Sequence, residues 1–328
     1  MNVLDLDVAT YRRHPLHADT LAWMEKNCYF DIWIETLHAL RCEPMAMIPG
    51  VVALDFEGDQ WTFFKPSHDE LRDLYGVEVT EMTCWRPLLE HAIEHLGAGK
   101  LISTETDAWW LPDVSGTDYR THHVKTTIVM ADLDVDARRL GYFHNAGYYT
   151  LDGEDFDQTF RVGTPHDPEH MPFFAELVRL ERVVRRPMPE LVAMSGQLLA
   201  KHYARRAADN PIVRFAARFQ RDLPMLQERG LANYHAWAFA TVRQLGAAAE
   251  LMQLYLRWLA GGGEILAADA GQYAPAVAAY TTISTGAKSF ILKAARAVNG
   301  KKAFDPTAIF DAWAKAWDQA MTSLAIID

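Results

Sequence analysis

The stretch Asn27-Cys28-Tyr29-Phe30-Asp31-Ile32-Trp33-Ile34-Glu35 decides how the first half of the chain is read. Phe30, Trp33, Ile34 and Leu37 fall at i, i+3, i+4 and i+7, one apolar face of a helix that must turn inward. Asn27 suits the N-cap, because its side chain accepts from the free N–H groups of a first helical turn. Cys28 then sits in that turn. The positive end of the helix dipole there favours a thiolate, the nucleophilic form of cysteine. The plainer reading of Cys28 is a small buried apolar residue.

Outward from this helix, Pro44 stops it, and residues 47–56 read as a strand that pairs with 60–64 across Glu57-Gly58-Asp59. A helix follows at 67–75, ended by Gly76, and another at 88–96, closed by Gly97. Residues 100–111, 122–131, 139–143 and 146–151 are strand-like, the last two around a His144-Asn145 turn. After Gly163-Thr164-Pro165-His166-Asp167-Pro168 the period becomes helical, over 190–208, 232–260, 274–298 and 306–326, with no further strand signal. The expected fold class is therefore α+β: an α+β domain over 1–165, then an all-α helical domain over 166–328.

The 328 residues are half hydrophobic, a globular composition. No apolar run approaches the ~20 residues of a membrane span, and the N-terminus lacks the basic-then-apolar order of a secretory signal. Three cysteines argue against a disulfide framework and for the cytoplasm. Net charge is −11 but uneven: residues 1–170 hold 13 Lys+Arg against 30 Asp+Glu, and residues 171–328 hold 19 against 13. An acidic chain without a basic tract argues against nucleic acid.

Cysteine chemistry of the Cys-His-Asn type needs a cysteine at a helix start, a histidine to take its proton and an Asn or Asp to hold the imidazole. Cys28 opens the first major helix, His123 starts the strand at 123–128, and Asn145 lies on the next strand-like segment. Adjacent antiparallel strands are expected to set His123 beside Asn145. His122, on the opposite face, is the competing base. Asp31, Glu35 and His38 share a helix face. They suit a pocket or the hydrogen bonds beneath Cys28 better than a metal. Trp33, Trp61, Trp109 and Trp110 are candidate pocket walls. His91 and His95, one turn apart with Glu94, match a zinc pattern, yet they lie on the polar face of an amphipathic helix. Cys84 also precedes a helix, and Cys42 lies at a helix end, where the dipole disfavours a thiolate.

The stretches NCYFDIWIETLHAL, HHVKTTI and LGYFHNAGYYTL resemble an uncharacterised bacterial family over most of the chain. Over roughly residues 20–150 this family is similar to butirosin-type papain-like acyltransferases and, more remotely, to double-glycine leader peptidases. Its members are typically encoded near amino acid:carrier protein ligases. The resemblance implies a papain-like first domain with Cys28 as nucleophile, His123 as base and Asn145 as orienter. It implies transfer of an aminoacyl group from a carrier-bound phosphopantetheine thioester to an amine acceptor, with no cofactor of the enzyme's own. The leader peptidases carry a glutamine shortly before the cysteine to build the oxyanion hole. Here Ala22 to Asn27 contain none, which leaves Asn27 and the Cys28 N–H for that role and argues against plain peptidase activity. A cysteine peptidase or amidase, or a non-catalytic carrier-protein adaptor, is the alternative.

Carrier proteins are acidic, so a basic surface would speed their encounter. Residues 176–230 hold 11 Lys+Arg against six acids, and Arg185, Arg186, Arg205 and Arg206 are the expected docking residues. The plainer reading is a set of solvated helical arginines.

Overall fold

The computed structural model describes residues 1–164 and 173–325. In chain order its elements begin with α1 (Cys28–Ala39), β1 (Phe56–Glu57), β2 (Gln60–Trp61), α2 (His68–Tyr75), β3 (Glu78–Glu81) and α3 (Leu88–Gly97). Then come β4 (Leu101–Asp107), β5 (Lys125–Asp134), β6 (Arg139–His144), β7 (Gly147–Asp152), α4 (Gly153–Phe160) and β8 (Ala175–Arg179). Six helices complete the chain: α5 (Met188–Tyr203), α6 (Pro211–Arg229), α7 (Leu231–Ala240), α8 (Val242–Ala260), α9 (Ala274–Asn299) and α10 (Thr307–Leu324). The α+β class holds, with the main sheet in the N-terminal region and helices in the C-terminal region.

The chain divides into two compact units. The first comprises Met1–Ala18, Asn27–Pro44 and Ser67–Arg186. Its sheet is antiparallel throughout, in the order β3-β8-β4-β5-β6-β7. Side chains alternate across such a sheet. Ile102, Ile128, Met130 and Tyr142 therefore share one face, with Ala92 and Leu96 of α3 and Phe156 and Phe160 of α4. Phe143 points the other way, against Tyr11, whose hydroxyl bonds Glu35 of α1. Helix α1 packs on β5, β6 and β7. Gly76 ends α2 as the sequence suggests: its φ is +71°, and a Cβ there would collide with the backbone of Arg182.

The second unit comprises Asp19–Lys26, Met45–Pro66 and the chain from Pro187 on. Contacts between α8 and α9 and between α9 and α10 form its spine. Phe215 and Phe219 of α6 join Phe290 of α9 and Phe310 of α10 in one aromatic cluster.

Several expectations need correction. Residues 47–56 are not one strand: Pro49–Ala53 is a buried 3-10 turn, and only Phe56–Glu57 pairs, with β2. Pro44 and Pro49 fix φ and remove ladder donors, so this apolar run is buried without being extended. The helix expected over 232–260 is two, α7 and α8, parted at Thr241. Helix α4 and strand β8 carry no strong sequence signal and were not expected; β8 follows the stretch after which no strand was anticipated. The expected boundary at 165/166 lies outside the described residues. β8 belongs to the first unit, which the chain leaves at Arg186.

Candidate active site

Cys28 is the first residue of α1. Asn27 is extended (φ −154°, ψ 156°), and its Oδ1 accepts from the Phe30 N–H at 2.8 Å. The next residue pins this end of the helix. The Tyr29 hydroxyl donates to the Glu176 carboxylate at 3.0 Å, and Ser103 Oγ donates to the same group at 3.1 Å. His68 Nε2 lies 3.1 Å from Glu176, whose carboxyl burial alone would raise; the charge and hydrogen bond of His68 and the two hydroxyls hold it below its ordinary value.

Cys28 is partly buried, and burial together with the charge of Asp31 pushes its thiol pKa up. Hydrogen bonds from Thr127 and Thr126 and the charge of Lys125 oppose that rise without cancelling it. The resting group is a thiol, so the helix dipole alone does not make the nucleophile, and a base is required.

A buried histidine bonds Thr126. His144 Nε2 is 2.8 Å from Thr126 Oγ1, and His144 Nδ1 is 2.6 Å from Asp113 Oδ2. His144 is 1 % exposed, and the Asp113 side chain is equally enclosed. Tyr142, two residues earlier on the same face of β6, donates its hydroxyl to Asp113 Oδ1 at 2.5 Å. Asp113 Oδ2 accepts the Nδ1–H, which leaves Nε2 to accept from the Thr126 hydroxyl.

The expected base and orienter are placed differently. Strand β5 begins at Lys125, so His122 and His123 precede it. His123 Nδ1 is 2.6 Å from Asp107 Oδ2, its ring stacks on Trp109 at 4.4 Å and 8°, and its side chain is 67 % exposed. His122 lies 3.7 Å from Asp118 and is more exposed still. Asn145 occupies the β6–β7 turn with φ +44°. The β5–β6 register pairs Val129 with Phe143; carried two residues further, it sets Asn145 opposite Thr127, not beside His123. The side-by-side arrangement of His123 and Asn145 is thus overturned by the register.

The residues expected beneath or around Cys28 divide by role. Asp31 and Glu35 are wholly buried and share His17: Nε2 is 3.0 Å from Asp31, and Nδ1 bonds Glu35. Glu35 also binds the Tyr11 hydroxyl and the His14 N–H. His38, on the same helix, pairs with the Arg12 carbonyl. These are hydrogen bonds beneath the helix, not a substrate-facing pocket. Trp33 is 0 % exposed and is core, and Trp61 packs on Phe56 and Phe215 in the second unit. Trp110 stacks under Arg120 at 4.4 Å. Burial raises the thiols of Cys42 and Cys84. His91 and His95 stack in parallel, 6.1 Å apart, while Glu94 binds Arg86. Among the described residues no group of three or more His, Cys, Asp or Glu is placed to hold a metal ion.

Of the expected docking residues, Arg185 Nε donates to the Leu40 carbonyl and Arg186 to those of Leu74 and Asp73. These cap the C-terminal ends of α1 and α2. Arg206 lies over the Tyr203 ring at 3.9 Å and bonds the Tyr203 carbonyl, whereas Arg205 is exposed.

Sequence reasoning passed over Thr126, His144 and Asp113. One signal was present: Tyr142 and His144 alternate as polar groups on the inward face of an otherwise apolar strand. Nothing marked Asp113, which reaches them from a 3-10 turn, Pro112–Val114.

Residues 12–180 match the family model described as the DUF1839 N-terminal domain, and residues 189–326 match the DUF1839 C-terminal domain. No curated protein matches the chain. No helix among the described residues is long and apolar enough to cross a membrane.

Proposed function

We propose that this chain, which belongs to the two-domain DUF1839 family, is a cysteine-dependent acyltransferase with a papain-like first domain. Cys28 attacks an aminoacyl thioester borne on a carrier protein's phosphopantetheine, and an amine resolves the acyl-enzyme. The observation that supports this most is the hydrogen-bonded Asp113–His144–Thr126 array, whose Thr126 is among the groups that act on the Cys28 thiol. His144 replaces His123 as the base and Asp113 replaces Asn145 as the orienter. The Cys28 proton moves to Thr126 as the Thr126 proton moves to His144 Nε2. The thiolate attacks the carbonyl carbon, the pantetheine sulfur leaves, and His144 returns the proton to it by the same path. Asp113 holds the imidazolium while it lasts. The Cys28 N–H, at the positive end of α1, supports the oxyanion. A thioester is already activated, so a sparse oxyanion hole suffices. Peptide hydrolysis by the same residues would need more.

The test is intact-protein mass spectrometry after mixing with an aminoacyl thioester of N-acetylcysteamine and, separately, with a loaded carrier. An aminoacyl adduct on Cys28 is expected, lost in Cys28→Ala. His144→Gln and Asp113→Asn are expected to slow acylation about 100-fold, and near-UV circular dichroism checks their packing. An adduct elsewhere, or acylation indifferent to both variants, overturns the proposal. Free acid as the sole product would favour the hydrolase. The raised Cys28 thiol also suits a non-catalytic adaptor, which predicts iodoacetamide alkylation no faster than a model thiol and no adduct.

A further inference from the structure

The proposed reaction leaves the second histidine without a role. An acceptor amine arrives at neutral pH as an ammonium ion, which has no lone pair to attack with. His144 is committed to Cys28, is buried, and has both ring nitrogens occupied. The acceptor therefore needs a separate base, open to solvent and near the acylated sulfur.

His123 is open to solvent and held in one orientation. Its Nδ1 is held by Asp107 at 2.6 Å, which fixes the tautomer so that Nε2 is the proton-accepting nitrogen. Its ring lies flat on Trp109, 4.4 Å between centroids, which fixes its plane. Asp107 is itself fixed, accepting the Trp109 N–H at 3.1 Å through its other oxygen. The imidazole is nevertheless 67 % exposed. A carboxylate on one side and an indole on the other lock the ring in one orientation, which is what a group acting on a substrate requires.

The location also fits. Asp107 is the last residue of β4 and pairs in register with Lys125, the first of β5. Lys125, Thr126 and Thr127 are the β5 residues that act on the Cys28 sulfur. His123 thus hangs at the same end of the sheet as the nucleophile, two residues from one of its neighbours.

We infer that the Asp107–His123 pair, stacked on Trp109, is the general base for the acceptor, and that the acceptor is a primary amine presented as its ammonium ion. The inference rests on the acyltransferase reading above. In the step, one ammonium proton passes to His123 Nε2 and then to water. The neutral nitrogen attacks the acyl carbon, the C–N bond forms and the C–S bond breaks. The nitrogen's surplus proton and the departing electron pair on sulfur restore the amide and the Cys28 thiol.

The test isolates the Cys28 acyl-enzyme and follows its deacylation by two probes at pH 7. Methylamine is almost wholly protonated there, whereas hydroxylamine is almost wholly neutral and needs no base to free its lone pair. His123→Gln is expected to slow deacylation by methylamine about 100-fold and by hydroxylamine severalfold at most. Asp107→Asn should show the same selectivity to a smaller degree, and added imidazole should partly rescue His123→Gln with methylamine. Equal losses for both probes, or no loss for either, overturn the role of His123 while leaving the acyltransferase reading intact. Failure of wild-type protein to form an acyl-enzyme overturns both.

Discussion

His17 shows how a single buried side chain ties protonation to folding. It sits between Asp31 and Glu35 with no exposed surface. Burial by itself would lower its pKa, but the hydrogen bonds and charges of both carboxylates raise it above 6.5. Burial likewise would raise Glu35, yet His17, the Tyr11 hydroxyl and the His14 N–H bring it below 4.5. A raised histidine stabilises fully below its unfolded pKa and loses that contribution as pH climbs through the folded one. A lowered carboxyl stabilises fully above its unfolded pKa and loses it as pH falls through the folded one. The linkage is therefore complete between pH 4.5 and 6.5. Removing one partner strands the others without water, at a cost of about 3 kcal/mol. His17→Gln should lower Tm most within that window, with the difference from wild type shrinking on the alkaline side. His14, which burial and the charge of neighbouring His38 push down to about 3, also feels the charge of His17. A difference that is flat from pH 5 to 9 would contradict the bridging role.

At the scale of elements, α1 is held at both ends by groups distant in sequence or outside the helical period. Asn27 caps its start, and Arg185 takes up the Leu40 carbonyl at its end. Arg186 does the same for α2 through Leu74 and Asp73. Hydrogen bonds from a charged donor contribute about 1.5–3 kcal/mol, and reversing the charge sets a carboxylate against carbonyl oxygens. The double variant Arg185→Glu/Arg186→Glu should lose about 2 kcal/mol or more in urea denaturation. Arg205→Glu, on an exposed side chain, should stay within about 0.5 kcal/mol of wild type. Any test of carrier docking therefore belongs at Arg205, where binding and folding separate. Equal stability of all three proteins would show that the two caps contribute nothing.

For the molecule as a whole, the helical region is not self-contained. The second unit takes in Asp19–Lys26 and Met45–Pro66 as well as the chain from Pro187. Trp23 lies so close to Gly246 of α8 that a Cβ there would sit 2.3 Å from the indole. Lys26, 0 % exposed, pairs with Glu250 at 2.9 Å, and Glu250 also accepts the Ala22 and Trp23 N–H groups. Phe56 and Trp61 pack on Phe215. A fragment of residues 187–328 would expose this cleft and leave Glu250 buried without its cation. It should show helical far-UV dichroism with weak near-UV signal and a broad thermal transition. A sharp transition matching the full chain would show that the two earlier segments are dispensable. Gly246→Ala in the full chain should cost about 1–3 kcal/mol by displacing Trp23.

The sequence by itself determined what depends on neighbours along the chain. Asn27 as cap, Cys28 in the first turn of α1, Gly76 as the stop of α2 and the β5–β6–β7 succession all follow from local geometry and period. The α+β character follows from the change of period. What only the tertiary structure decided depends on register and on chain crossings that no local pattern encodes. The β5–β6 register set Asn145 away from His123 and Thr126 against His144. Asp113 became the partner of His144 because a 3-10 turn, unmarked in composition, folds back onto β6. Arginines that read as a charged surface turned into helix caps because their carbonyl partners lie more than a hundred residues earlier. Periodicity reports which face of an element is buried; it is silent on which polar groups meet once the faces are packed.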